Sequence, residues 1–452
     1  MSLSALIWVA VAVTLVVLSL RRSAYAAALY MMTFFSAPHL WWWGSDLPSM
    51  RYSLIAGVLI IGALVFQRAL SPGDLGQRFS RTHIAAIGMA ANATFVHFVL
   101  ASYPSISVDN YVELMKYVLL FFLMWSAIRS KDDLRIVVMA IAIGAGYIGY
   151  EATINERGSF VGSRLEGIGA PAADTSNSLA SVLLLSLPLV GSLVVASKWR
   201  HKITAVVTGP LVLNVVLLCN SRGAFLGLIG AGASVLLMSR GATRKQAFKA
   251  LALGGLTLFL LLGDPKIIDR FATTFVGSQD RDASAAGRLQ FWQAGLMMLN
   301  DYPLGDGGGS FKFVRGRHYV TQVTGEDMAE RSLHNGYLTE ATEWGIQGLL
   351  LRLFFIGGAC AYAYRASVSC RKAERANDAL VGICFIAALI GFLIATIFGS
   401  FLTNEWSYWI VALLVRYGDL YAVPVEVLRS ATDQTKEIGV ETPRWAAAWR
   451  PV

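Results

Sequence analysis

Three basic residues in this chain pair a reactive side chain with a position suited to an anion: Arg222 in CNSRGAFLGL, Arg288 in SAAGRLQFWQAGLMMLN and His334 in HNGYLTEATEWGIQGLL. Each falls near the start of an expected helix, where free amide N–H groups and the positive end of the helix dipole attract negative charge. A cation there opposes the helix taken alone and makes sense beside a bound phosphate. Arginine adds a planar fork of donors that matches phosphate oxygens. For a histidine the same place disfavours the imidazolium and leaves a neutral ring, the state a general base requires.

Plainer readings stand beside these. Arg222 is also placed to snorkel to the headgroup layer, Arg288 to be a solvated helix residue, and His334 to be a helix cap or loop histidine. Arg164, Arg270, Arg281, Arg315, Arg317, Arg331 and His318 are expected on the same side, and spacing alone does not choose three from this set. No Walker A loop or H-E-x-x-H is present, and the acidic residues show no DxD arrangement suited to holding a metal-bound nucleotide sugar, so neither a metal site nor a cofactor is expected. Cys219, Cys360, Cys370 and Cys384 form no CxxC pair. Asp306 in GDGGGS resembles a phosphate-cradling turn, but the dense glycine reads first as a connecting loop. Trp41, Trp42, Trp43 and Trp406 read as an aromatic belt at the membrane surface. Glu113, Glu151, Glu340 and Glu343 fall near span ends, where an interfacial place is open to them.

The elements that must hold these residues are membrane helices. Of 452 residues, 55% are hydrophobic and only 15% charged, with a mean hydropathy of +0.55; soluble domains carry about 25% charged residues. This balance excludes soluble enzymes, disulfide scaffolds, disordered chains and nucleic-acid-binding modules. Apolar runs fall at 3–20, 23–38, 53–69, 83–101, 112–128, 134–153, 176–197, 203–219, 222–239, 247–263, 336–366, 379–402 and 406–422. The expected fold is an all-α polytopic membrane protein with about 12 spans, one weak run being interfacial. The first run lacks a basic n-region and a cleavage site and reads as a retained helix.

Charge orients the bundle. The loops Arg129 to Arg135, Lys198 to Lys202, Arg240 to Lys249 and Arg365 to Arg375 are strongly basic, which assigns them to the cytoplasm; the side of the N-terminus stays open. The expected organisation is N-terminal spans over 1–263, a large extracytoplasmic loop over 264–335, C-terminal spans over 336–422 and a cytoplasmic tail over 423–452. The large loop has eight Lys/Arg and nine Asp/Glu, a balance that does not bar translocation. Within it Ser284 to Asn300 reads as an amphipathic helix capped by Ser284, with apolar residues at 289, 292, 296 and 299. The loop is expected to fold as a helical cap on the membrane core.

The blocks SRGAFLGLIGA, GRLQFWQAGLMMLNDYPLGDGGGSF and HNGYLTEATEWGIQGLL, in this order in a many-span chain with one large late loop, resemble the O-antigen ligase and polymerase superfamily of bacterial envelopes; RLEGIGAPAADTSNSLA at 164–180 resembles its preceding periplasmic loop more loosely. The resemblance implies an inner-membrane glycosyltransferase with a periplasmic active site, needing neither metal nor nucleotide sugar. It implies undecaprenyl-pyrophosphate-linked glycan as donor and, in the ligase branch, lipid A–core as acceptor. The family's functional arginines and histidine fall on Arg222, Arg288 and His334. The implied mechanism has Arg222 and Arg288 binding pyrophosphate and His334 acting as base in one inverting displacement, with Arg164, Arg270 and Arg315 as secondary candidates. Other acceptors, a second lipid-linked glycan or a protein hydroxyl, fit the same chemistry. A glycolipid transporter would instead require polar residues inside the spans and internal two-fold similarity, and neither is evident in the sequence.

Overall fold

A computed structural model describes residues 1–70, 79–162, 164–171, 175–195, 198–262 and 279–423. Every apolar run in the sequence becomes a helix. They are α1 (Leu3–Ser19), α2 (Ala24–Phe35), α3 (Tyr52–Leu70), α4 (Arg81–Phe95), α5 (Pro104–Ala127), α6 (Lys131–Thr153), α7 (Ser176–Val194), α8 (Trp199–Leu218), α9 (Arg222–Met238) and α10 (Gly241–Leu262). After α11 (Gln279–Asp301) and α12 (Gly316–Thr324) come α13 (Gly336–Lys372), α14 (Ala376–Thr396) and α15 (Trp406–Tyr421). A short antiparallel hairpin, β1 (Ser159–Val161) and β2 (Arg164–Glu166), pairs Phe160 with Leu165. The chain is an all-α polytopic membrane protein.

Among the described residues seven helices are long and apolar enough to cross a bilayer: α3, α4 with its π-helical extension Val96–Leu100, α6, α7, α8, α13 and α14; α1 and α9 are apolar but shorter. By length and hydropathy alone, then, seven of the expected dozen qualify among the described residues. Helix α2 shows why: at 12 residues it rises only about 18 Å, against a hydrocarbon core of about 30 Å. Side chains such as Val58, Val65, Leu237, Phe259 and Phe354 point outward, a surface that suits lipid.

Helix α14 packs against α7, α9, α13 and α15, and α6 against α2 and α8. The SRGAFLGLIGA block owes its glycines to this packing. A Cβ at Gly227 would lie 2.5 Å from the carbonyl oxygen of Gly391 in α14, and one at Gly391 would lie 2.8 Å from that of Gly227. Only mutual glycine lets the two backbones approach this closely.

Helix α13 is broken at Gly345, whose φ of +80° is non-helical. The turn Tyr302–Gly309 satisfies the backbone groups this frees. The N–H groups of Asp306, Gly307 and Ile346 bond to the carbonyls of Thr342, Glu343 and Pro303 at 3.3, 3.0 and 3.0 Å. Asn92 donates its side-chain amide to the Trp344 carbonyl at 2.8 Å. Irregular backbone at membrane depth survives only when re-satisfied in this way. The glycine-rich turn is thus a docking element for a broken helix.

The two ends of the bundle differ. At one end the basic loops meet: Lys131 faces Asp378 at 3.8 Å, Lys198 faces Asp132 at 3.6 Å and Arg371 donates to the Met238 carbonyl at 3.3 Å. At the other end residues 101–103, the β-hairpin, the α8–α9 turn, α11 and α12 gather, tied in part by Ser102 and Arg315, which both donate to Asp306. Several residues expected at the membrane interface are buried within the protein. Trp41, Trp43 and Trp406 are buried, Trp43 donating to the Tyr147 hydroxyl at 2.7 Å. Glu151, Glu340 and Glu343 are buried too, Glu151 pairing with Arg157 at 2.8 Å and Glu340 with the fully buried Arg352 at 3.2 Å.

Candidate active site

Arg222 is the first residue of α9. Asn220, in the left-handed region at φ +47°, turns the chain straight out of α8, and Ser221 caps α9 by accepting from the Ala224 amide at 3.4 Å. The turn leaves Arg222 exposed at the helix start, where the dipole argument places an anion. Arg164 opens β2, which packs against α7 and α8.

Arg288 departs from the expectation. Helix α11 begins at Gln279, so Ser284 lies inside it and Arg288 more than two turns from its start; the helix-terminus argument does not apply to this residue. The phase of the helix differs as well. Leu289 and Leu296 are exposed, and the buried contacts are made by Ala294, Gly295 and Met298. Ala294 and Met298 form a small core with Phe311, Tyr319, Val320 and Leu333. A Cβ at Gly295 would lie 2.5 Å from Leu333 Cδ2. Small residues on α11 therefore seat Leu333, and Leu333 carries its neighbour His334 toward the face of α11 that holds Arg288.

His334 sits just before the cap of α13, not at it. Asn335 is the cap, its Oδ1 accepting from the Tyr337 and Leu338 amides at 3.0 and 3.1 Å. His334 itself has a φ of +48°, a left-handed conformation costing about 1 kcal/mol or more in a residue with a Cβ. Gly336 completes the block because a side chain there would overlap Thr396 and Leu402. The sequence HNG thus reads, residue by residue, as a projecting histidine, a cap and a close contact.

The charges act on one another. Burial and then the positive charges of Arg164 and Arg222 hold Arg288 below the usual arginine pKa. Burial and then the charges of Arg288 and Arg331 push His334 below the ordinary histidine value of 6.5. Arg164 and Arg222 thus act on Arg288, and Arg288 and Arg331 on His334, a chain of like charges. Among the described residues no carboxylate forms an ion pair with any of the five. Clustered guanidinium groups repel one another, and a bound polyanion reverses that cost.

The remaining candidates separate from this group. Arg315 is a structural clamp, donating from Nε to Asp306 at 2.9 Å and from a terminal nitrogen to Ser102 Oγ at 2.7 Å, with its guanidinium 4.6 Å from the Tyr302 ring centre. Arg317 pairs with Asp327 and His318 contacts Gln322 at 3.0 Å. Arg270 and the Arg281 side chain lie outside the described residues. Among the described residues no three His, Cys, Asp or Glu side chains form a metal-ligating group. Sequence reasoning placed Arg331 on the same side without singling it out, its only further signal being its place three residues before His334.

Residues 207–353 match the O-antigen ligase family. The match covers about a third of the chain, but that third runs from α8 into α13 and contains Arg222, Arg288, Arg331 and His334. It supports the resemblance to the O-antigen ligase and polymerase superfamily. It also points to a membrane glycosyltransferase activity of the ligase or polymerase type. The chain has no match among the curated proteins.

Proposed function

We propose that this protein is an O-antigen ligase that transfers a glycan from undecaprenyl pyrophosphate to lipid A–core on the periplasmic face of the inner membrane. The observation that carries this reading is the group of arginines with no ion-pair partner among the described residues, beside a histidine held neutral. Such a group suits a pyrophosphate, and a neutral histidine suits deprotonation of an acceptor hydroxyl.

In the proposed mechanism Arg222 and Arg288, with Arg164 assisting, bind the pyrophosphate oxygens through paired N–H donors. The acceptor hydroxyl oxygen attacks the anomeric carbon and its proton passes to His334. The bond from the anomeric carbon to the phosphate oxygen breaks, and undecaprenyl pyrophosphate leaves with the electron pair. The arginines stabilise the charge that grows on that oxygen. One displacement inverts the anomeric configuration. The end of the bundle holding the basic loops faces the cytoplasm in this scheme and the described part of 264–335 forms the periplasmic cap; the expected cytoplasmic tail over 423–452 lies almost wholly outside the described residues.

The test is a reconstituted reaction of purified chain, undecaprenyl-pyrophosphate-linked glycan and lipid A–core, without nucleotide and with chelator. A gel shift of lipid A–core to a glycan-bearing ladder is expected, with an inverted linkage by NMR. Lengthening of the donor glycan instead would move the acceptor to a second lipid-linked glycan, the polymerase reaction. A retained anomeric configuration would overturn the single displacement.

A further inference from the structure

We propose that the tryptophan-rich strap after α2 and the β-hairpin together form a saccharide-binding cleft that holds a pyranose ring of a membrane-anchored glycan, apart from the arginine–histidine site. The cleft has a volume of about 810 Å³, with walls that include His39, Trp41, Trp42, Glu156, Arg157 and Glu166. It lies at the end of the bundle that carries Arg222 and Arg288, because β2 bears both Glu166 and Arg164 and Arg164 acts on Arg288.

Its chemistry is that of a sugar site. Trp42 stays 47% exposed although its neighbours Trp41 and Trp43 are buried, which leaves one large aromatic surface at the cleft. The negative face of an indole accepts the C–H face of a pyranose. Trp42 is also fixed in place. The Arg157 guanidinium sits 4.1 Å from its ring centre, Arg157 Nε pairs with Glu151 at 2.8 Å, and Trp42 Nε1 donates to the same carboxylate at 3.3 Å. A preorganised ring loses little entropy on binding. Glu156 and Glu166 supply acceptors for sugar hydroxyls.

A second cavity favours a glycan attached to lipid. Asn155 lines both this cleft and a mostly apolar groove of about 980 Å³ along α1, α2 and α6. A lipid chain in the groove would deliver its headgroup sugars to the cleft.

The inference rests on the glycosyltransferase reading, so its test separates the two. Saturation-transfer NMR is run on purified protein in detergent with methyl gluco-, galacto-, manno- and rhamnopyranosides. At least one glycoside should show transfer to its ring protons with wild type and with His334→Ala, lose it with Trp42→Ala and regain it with Trp42→Phe. No transfer from any glycoside, or transfer unchanged in Trp42→Ala, overturns the cleft. In the reconstituted reaction Trp42→Ala should raise KM for a lipid-linked substrate at least tenfold while changing kcat less than threefold; an unchanged KM also overturns it. A wild type that binds glycosides without transferring glycan contradicts the proposed function and leaves the cleft standing. Trp42 is half exposed, and a far-UV circular dichroism spectrum identical to wild type establishes that the alanine variant is folded.

Discussion

Arg288 and His334 are coupled through charge, and that coupling is measurable. Because Arg288 and Arg331 help to hold His334 below its usual value, the free protein keeps a neutral base at pH 7. The acid limb of kcat/KM should then lie below pH 6.5, since that parameter reports the free enzyme. A bound pyrophosphate offsets the arginine charge and raises the histidine, so the acid limb of kcat should lie at higher pH than that of kcat/KM. Removing one cation works the same way: Arg288→Ala should move the His334 titration, followed by ring-proton NMR and assigned with His334→Ala, to higher pH. A titration that stays where it is, or moves to lower pH, would mean that the two side chains do not face a common site. Arg288→Lys keeps the charge and loses the fork, and should retain more activity than Arg288→Ala, which should lose about 10²–10³-fold in kcat. At this scale the place of Arg222 and His334 beside a helix start was legible in the sequence. Arg288 was singled out by the same argument, which fails for it because its helix starts at Gln279, and only the resemblance then speaks for it.

The helices themselves were legible almost throughout, since each apolar run long enough to notice became a helix, although some bounds moved by two turns, α5 starting at Pro104 rather than 112. Contact details were not. The expected stripe of α11 followed its leucines, but Leu289 and Leu296 face outward while Ala294 and Gly295 make the close contact. Hydropathy patterns assign large residues to the inside and cannot register a contact whose requirement is smallness. The break in α13 was hidden in the same way, because a glycine inside an apolar run reads as a tolerated interruption. Gly345 is nevertheless specified twice, by its φ of +80° and by contact with the Leu304 carbonyl. Gly345→Ala should therefore destabilise the folded protein by about 1–3 kcal/mol and lower the apparent Tm in detergent. Gly232→Ala, on a helix position with open space around it, should leave the Tm unchanged. Equal effects would mean that the turn and the broken helix do not depend on each other.

At the scale of the whole molecule, basic loops far apart in sequence converge on one end and the arginine–histidine group on the other. Charge counting anticipated this separation, because the loops that orient a membrane protein carry their lysines and arginines in short stretches. Helix lengths were less legible, since a short buried helix such as α2 reads in the sequence as a run of 16 residues and forms 12. If the cap end faces the periplasm, a cysteine at the exposed Glu326 should react with a membrane-impermeant maleimide in intact spheroplasts. One at the exposed Glu374 should react only after permeabilisation; the reverse pattern would invert the molecule. The central claim is that the arginines hold the donor and His334 moves the proton, and it is tested most directly by measuring donor binding and transfer on the same variants. His334→Ala should bind undecaprenyl-pyrophosphate-linked glycan with wild-type affinity and lose about 10²–10⁴-fold in transfer rate, while Arg222→Ala loses the binding itself. Wild-type transfer by His334→Ala would contradict the account.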